Sequence, residues 1–140
     1  MKKENWTTTN IPDLTGKVII VTGGNSGLGY ESVKAFSEKG ADVILATRSI
    51  EKGETAKKTM GNVKGDISVM QLDLMNFSSI QSFAEKFAVK YNRLDVLLNN
   101  AGIMTTPYFL TKAKIRIKRD QKCFSCCASR CFEHKFVSVP

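Results

Sequence analysis

The fold of this chain is decided by one stretch near its start, Lys17-Val-Ile-Ile-Val-Thr-Gly-Gly-Asn-Ser-Gly-Leu-Gly29. Its first half, Lys17 to Thr22, is a short β-branched run, which is typical of a strand buried in a parallel sheet. Its second half is a glycine cluster. From Leu28 to Lys39, apolar and small residues recur at near-helical spacing, and Gly40 then supplies a helix stop. The stretch predicts a strand, a glycine loop and a helix in direct succession.

The same alternation continues through the next 60 residues and predicts the fold class. Three further apolar runs read as strands, and two amphipathic segments between them read as helices. In chain order these are Asp42–Thr47, Ile50–Met60 (capped by Ser49 and ended by Gly61), Ile67–Leu72, Phe77–Tyr91 (capped by Asn76) and Leu94–Leu98. Such alternation predicts stacked βαβ units, with right-handed crossovers placing helices on both faces. We predict an α/β fold with an incomplete, Rossmann-type doubly wound parallel sheet of about four strands.

The glycine loop indicates a dinucleotide site. Glycine at positions 23, 27 and 29 lets the backbone turn sharply and bring its N–H groups close to a pyrophosphate, at the positive end of the following helix. The position of the cluster, between a first strand and a first helix, strengthens this interpretation. A purely structural glycine turn, in an α/β sheet without a nucleotide site, is the alternative.

Three motifs in this order make the chain resemble the short-chain dehydrogenase/reductase family. They are Thr-Gly-x-x-x-Gly-x-Gly at 22–29, Leu72-Asp73-Leu74, and Asn99-Asn100-Ala101-Gly102. The resemblance covers about residues 12–111, and within the family the sequence is most similar to the retinol-dehydrogenase-like branch.

The resemblance implies a set of cofactor-binding residues. It places Asp73 beside the adenine and the Asn99–Gly102 loop over the adenine ribose. The full expected set is Gly23, Asn25, Ser26, Gly27, Leu28, Gly29, Arg48, Asp73, Leu74, Asn99, Asn100, Ala101 and Gly102. For Asp73 the alternative is a capping or loop aspartate, and for residues 99–102 it is a plain turn.

The end of the second strand indicates which cofactor is preferred. NAD-binding proteins place an acidic residue about 20 positions beyond the glycine loop, where it binds the ribose 2′-hydroxyl. Thr47 stands at that distance from Gly27, no Asp or Glu occurs between Val43 and Ile50, and Arg48 follows directly. A guanidinium can hold a 2′-phosphate, so NADP(H) is favoured over NAD(H). A solvated arginine at a strand end is the alternative.

No catalytic residue can be assigned. The resemblance implies a tyrosine, a lysine four residues later, a serine and an upstream asparagine. The two Tyr-x-x-x-Lys strings, at 30–34 and 108–112, both lie too early, and Lys122 stands where the asparagine is expected. We therefore expect an oxidoreductase-type chain that binds cofactor without turning it over, and whether it is an enzyme stays open. A non-catalytic dinucleotide-binding module is the alternative.

Composition divides the chain near Thr111. Residues 1–111 carry 13 basic and 11 acidic residues, whereas residues 112–140 carry 8 and 2 and also hold all four cysteines and the only histidine. We predict a truncated NADP(H)-binding domain at 1–111 and a basic, cysteine-rich, irregular tail at 112–140 that is foreign to the family fold. The spacing C-x₂-C-x₄-C-x₂-H, from Cys123 to His134, leaves a zinc or nucleic-acid-binding fusion as an alternative. The tail has no glycine for the tight turns of a zinc knuckle, so we assign no metal ligand and expect no nucleic-acid partner.

The remaining expectations concern location and assembly. No window approaches the roughly 18 apolar residues of a membrane span, and the first residues lack the apolar run of a signal peptide, so we expect a cytoplasmic protein. The expected partner is a nicotinamide dinucleotide. Dimer contacts of the kind the resemblance implies are expected to be lost together with the missing catalytic half.

Overall fold

A computed structural model describes residues 7–102 and two short strands beyond them. A 3₁₀ turn at Thr8–Asn10 precedes the regular elements. The strands are β1 (Val18–Thr22), β2 (Asp42–Thr47), β3 (Ile67–Gln71), β4 (Val96–Leu98), β5 (Phe109–Leu110) and β6 (Arg116–Ile117), and the helices are α1 (Gly27–Glu38), α2 (Ile50–Met60) and α3 (Phe77–Lys90). The elements of residues 17–98 that the sequence predicts are all present.

The first four strands form one parallel sheet in the order β3-β2-β1-β4. β1 pairs with β2 through Val18↔Asp42 to Thr22↔Ala46, and with β4 through Ile19↔Val96 to Val21↔Leu98. From β1, the chain adds β2 and β3 on one side and then crosses to the other side of β1 to form β4. At such a switch point the loops diverge, leaving a crevice at the carboxyl ends of the strands. The Rossmann-type fold class is confirmed.

Burial on both faces of the sheet explains the continuous apolar runs. β1 is buried along its whole length, and β2 from Val43 onward. Alternate residues of these strands face opposite layers, because side chains alternate along a strand. Ile20 and Ile44 belong to the core with Phe83 and Phe87 of α3, whereas Ile19, Val21 and Val43 belong to the core with Val33 of α1 and Ala56 of α2.

Local signals set most boundaries as predicted. The side chain of Ser49 accepts a hydrogen bond from the Lys52 N–H at the start of α2, and that of Asn76 accepts from the Ser78 N–H at the start of α3. β4 begins at Val96 instead of Leu94, since the Asp95 carboxylate, and not a backbone carbonyl, accepts the N–H of Val18 at 2.9 Å.

The segment expected to be irregular contains one regular feature in its described part. Arg116–Ile117 pairs antiparallel with Phe109–Leu110, apart from the main sheet. Across the part of the chain that is described, no helix combines the length and apolar character that crossing a bilayer requires.

Candidate functional site

A cleft opens at the carboxyl ends of β1, β2 and β4, where the sheet topology predicts a ligand site. Its volume is about 440 Å³, within the roughly 300–1,000 Å³ typical of ligand pockets. Of the predicted cofactor-binding residues, those that line it are Gly23, Asn25, Ser26, Arg48, Asp73, Leu74, Asn100, Ala101 and Gly102. Gly27, Leu28, Gly29 and Asn99 are not among the lining residues. Four loops from separate βα units therefore meet in one cavity.

The glycine loop and the start of α1 lie close to the loop after β4 at Gly23 and Gly29. Gly23 has φ +66°, and a Cβ there would lie 3.1 Å from Ala101. A Cβ on Gly29 would lie 2.5 Å from the carbonyl oxygen of Gly23 and would also overlap the side-chain amide of Asn100. These glycines let the first turn of α1 pack directly on the loops after β1 and β4.

The start of α1 differs from the starts of the other two helices. Ser26 is its N-cap residue but makes no side-chain cap hydrogen bond, and no acidic residue lies in its first turn. Its first N–H groups thus lack the side-chain acceptor that Ser49 and Asn76 provide for α2 and α3. Leu28, in the same turn, is 82% exposed. Uncapped N–H groups at the positive end of a helix are the donors that a pyrophosphate accepts from, so the local geometry fits this group.

The loop after β4 is fastened to the loop after β1. The Asn100 side-chain amide donates to the carbonyl oxygens of Thr22 and Gly23 at 3.2 and 3.3 Å. The N–H of Ala101 donates to the hydroxyl of Thr22 at 3.0 Å. These two bonds use both side-chain amide hydrogens of Asn100, so the amide nitrogen holds the two loops together. The side-chain carbonyl oxygen is left to accept a hydrogen bond from a ligand.

The third wall of the cleft is the end of β2 and the start of α2. The backbone of Arg48 is held by Gln71, whose amide donates to its carbonyl oxygen at 3.3 Å. Arg48 is exposed, and within residues 7–102 no carboxylate forms an ion pair with it. Lys52, one helical turn further on, lines the same cleft and also has no such ion pair among these residues. Two cations therefore border the region where the cofactor's 2′ substituent is expected.

Asp73 lies in the loop before α3 and lines the cleft. Its Oδ1 accepts the N–H of Met75 at 3.0 Å, which shapes the turn before α3, and its own N–H donates to the hydroxyl of Ser79 at 2.9 Å. The residue is half-buried in the cleft wall, and Oδ2 has no hydrogen-bond partner among the described residues. One oxygen thus organises the loop while the other can accept from an adenine amine.

The hydrogen bonds of Thr22 and Thr47, and the presence of Lys52 in the cleft, were not predicted from the sequence. Thr22 links two loops, Thr47 donates to Asn25, and Lys52 adds a second cation. The spacing of Arg48 and Lys52, four residues apart at a helix start, was a usable signal for the lysine. The hydroxyl contacts of the two threonines required the three-dimensional structure.

Of the two Tyr-x-x-x-Lys strings, one lies within the described residues. Tyr30 lies in α1, its hydroxyl 3.2 Å from that of Thr59, and it is not among the residues that line the cleft. Tyr108 and the segment from Cys123 to His134 lie outside the described residues. Within residues that are described, no group of three His, Cys, Asp or Glu side chains is arranged to hold a metal ion.

Comparison with known proteins agrees with this geometry. The sequence pattern of the family described as short chain dehydrogenase matches residues 17–125. A short-chain dehydrogenase/reductase from Armillaria gallica is 46% identical over 79% of this chain and 36% of its own length. Human retinol dehydrogenase 11 is 43% identical over 74% of this chain and 33% of its own length.

A solved structure is similar in fold as well. The RhlG protein of Pseudomonas aeruginosa, in an active-site complex with NADP, superposes with a TM-score of 0.61 at 29% identity, covering 66% of this chain and 36% of that one. The chain thus spans about a third of the length of the curated relatives that it matches.

Proposed function

This chain belongs to the short-chain dehydrogenase family of oxidoreductases, and from that premise we propose that its cleft binds a nicotinamide dinucleotide and prefers NADP(H) to NAD(H). The observation that carries the proposal is the wall formed by the end of β2 and the start of α2. Arg48 and Lys52 border the cleft there, and no carboxylate lines that wall. The bound NADP of the Pseudomonas relative gives the preference independent support.

The preference follows from charge. A 2′-phosphate carries more than one negative charge, so it gains from a guanidinium and an ammonium on the same wall. A ribose 2′-hydroxyl gains little from either group, and the carboxylate that would accept its hydrogen bond is missing from this wall. Asp73 also lines the cleft, in the loop between β3 and α3, where its carboxylate accepts the N–H of Met75. The adenine is expected beside this loop, and not beside the wall that carries Arg48.

We further propose that these 140 residues bind the cofactor without turning it over. When bound, a nicotinamide accepts or donates hydride, and the protein must supply a proton donor to the reacting oxygen. Tyr30 is the one tyrosine of a Tyr-x-x-x-Lys string within the described residues, and its hydroxyl faces Thr59 instead of the cleft. The contribution of this chain is then to bind and orient the dinucleotide.

The test is titration of the full chain with NADPH and NADH, followed by nicotinamide fluorescence. We expect Arg48→Ala to weaken NADPH binding by about tenfold or more, because a charge-assisted hydrogen bond contributes about 1.5–3 kcal/mol. NADH affinity should change by less than about twofold, because a neutral hydroxyl makes no charge-assisted bond.

The matched control is Lys58→Ala, which removes one positive charge from the exposed side of the same α2 helix, outside the cleft. If Lys58→Ala weakens NADPH binding as much as Arg48→Ala does, the effect of Arg48→Ala is due to net charge alone. Tighter binding of NADH than of NADPH would contradict the preference, and failure of the folded chain to bind either would contradict the site itself.

A further inference from the structure

Thr47, the last residue of β2, is a buried hydroxyl residue with only 5% of its surface exposed. Its side-chain hydroxyl donates to Oδ1 of Asn25, in the glycine loop, at 3.3 Å. Valine has the same shape and would fill the same space without a polar atom to satisfy. The use of threonine here is therefore explained by its bond to Asn25 and not by packing.

The orientation of that hydroxyl is fixed by the helix behind it. A Cβ on Gly53 of α2 would lie 2.9 Å from Cγ2 of Thr47, so the methyl group of the threonine is packed against α2. The two branches of a β-branched side chain point in different directions, and contact at one branch restricts χ1. With the methyl group on α2, the hydroxyl is held toward the glycine loop. The backbone is also fixed, because the Thr47 carbonyl accepts the N–H of Leu72 at 2.9 Å.

The bond from Thr47 determines which end of the Asn25 amide is left for a ligand. The carbonyl oxygen of that amide is engaged, and the nitrogen makes no hydrogen bond to any described residue. Asn25 is half-buried and lines the cleft together with Arg48, the residue that follows Thr47. The atom presented at this corner of the cleft is consequently a neutral N–H donor.

We propose that Thr47 is a positioning residue that turns the Asn25 amide nitrogen toward the oxygens on the 2′ position of the adenine ribose, beside Arg48. This inference rests on the proposed dinucleotide site and names a specificity determinant within it. The end of β2 is where the 2′ substituent is read in dinucleotide-binding folds. A phosphate oxygen accepts from the amide more strongly than a hydroxyl does, so the arrangement favours a 2′-phosphate.

The experiment uses two probes that differ only at the 2′ position, adenosine 2′,5′-bisphosphate and adenosine 5′-monophosphate, titrated calorimetrically into the full chain. Thr47→Val removes the hydroxyl and keeps the shape. We expect it to weaken binding of the bisphosphate by about tenfold and of the monophosphate by about threefold or less. Thr47→Ser keeps the hydroxyl and should stay within about twofold of the wild type for both probes.

A double-mutant cycle separates positioning from a general structural role. In an Asn25→Ala background, Thr47→Val should cause no further loss of affinity, because the amide that it positions is gone. A full additional loss there, or an equal loss for both probes, would overturn the inference. If the wild type binds the bisphosphate and Thr47→Val binds it equally well, the inference about Thr47 is wrong but the proposed function stands. Failure of the wild type to bind either probe would overturn both.

Discussion

The two ends of the seam between β1 and β4 are both closed by a side chain from the β4 side, but with opposite chemistry. At the amino end the Asp95 carboxylate accepts the backbone N–H of Val18 and pairs with Lys17 and Arg93. At the carboxyl end the neutral Asn100 amide donates to the carbonyl oxygens of Thr22 and Gly23. The bond from Val18 to Asp95 and the two bonds from Asn100 join residues that are 77 or 78 positions apart in sequence.

Both ends need such a contact because the strand pair is short. β4 contributes three residues to the ladder, and these pair with Ile19 to Val21. A short parallel ladder on one side of a sheet gives few backbone hydrogen bonds, so side-chain bonds at its ends add a substantial fraction of what holds β4 in register.

The difference in chemistry corresponds to what each end faces. Arg93 and Lys17 surround Asp95 and hold the pKa of its carboxyl at about 2, so the amino end is closed by charges. The carboxyl end lies in the cleft proposed for a phosphate-bearing ligand, where a carboxylate would repel that ligand. An amide that donates to two carbonyl oxygens closes the seam there without adding charge. The seam thus combines a structural end and a ligand-binding end, and substitutions should separate the two.

The largest effect is expected from Gly29→Ala at the ligand-binding end. The added methyl group would overlap the Asn100 amide and the carbonyl oxygen of Gly23, so the loop must move. Overpacking of this kind costs about 1–3 kcal/mol of unfolding free energy, and displacing the first turn of α1 should abolish dinucleotide binding as well. Chemical denaturation and NADPH titration measure the two losses.

Gly61→Ala provides the comparison for this variant. Gly61 ends α2 with φ +72° and has open space around its Cβ position, so alanine there is strained without a clash. We expect a loss of about 1–3 kcal/mol and unchanged NADPH affinity. Normal binding by Gly29→Ala would show that the contact between the loops is not needed for the site.

The second prediction concerns replacement of the neutral Asn100 amide by a carboxylate of nearly equal size. Asn100→Asp cannot donate to the two carbonyl oxygens and brings negative charge against them. We expect a loss of about 1–3 kcal/mol in stability and at least tenfold weaker binding of NADPH. Lowering the pH toward 4, where an aspartyl group begins to protonate and can donate again, should restore part of the stability in denaturation experiments. If the variant is as stable as the wild type at pH 7, the two hydrogen bonds of the Asn100 amide do not stabilise the fold.

Local signals were sufficient to predict the elements around the seam, but not the contacts that close it. The apolar run Asp42–Thr47 and the caps Ser49 and Asn76 each act within a few residues, and the structure confirms all three. The parallel sheet with helices on both faces followed from the alternation of strands and helices, because crossovers between parallel strands are right-handed.

The roles of Asn100, Thr22 and Asp95 depend on atoms far away in the sequence. The Asn-Asn-Ala-Gly motif identified Asn100 through family resemblance as a ribose-side residue, but it did not predict that the amide nitrogen also joins two loops. Asp95 carried no motif at all, because a single aspartate before a short strand is unremarkable until Val18, Lys17 and Arg93 surround it. Spacing predicts which residues share an edge of the sheet, and it does not predict which atoms pair there.

The smallest effect is expected at the structural end, from Asp95→Asn. Because Arg93 foremost, then Val18 and Lys17, lower the folded-state pKa of Asp95 from 3.8 to about 2, its ionised form stabilises the fold above pH 4. This stabilisation should disappear as the pH falls from about 4 to about 2, since the unfolded chain takes up the proton first.

Near neutral pH the substitution should cost on the order of 1 kcal/mol, after allowing for solvent screening of the two partly exposed cations. The difference from the wild type should shrink toward pH 2 in urea denaturation, and NADPH affinity at pH 7 should be unchanged because the substitution lies at the opposite end of β4. A loss of cofactor affinity comparable to that of Asn100→Asp would mean that the two ends are coupled through three residues of β4, and the division of the seam into a structural and a ligand-binding end would then be wrong.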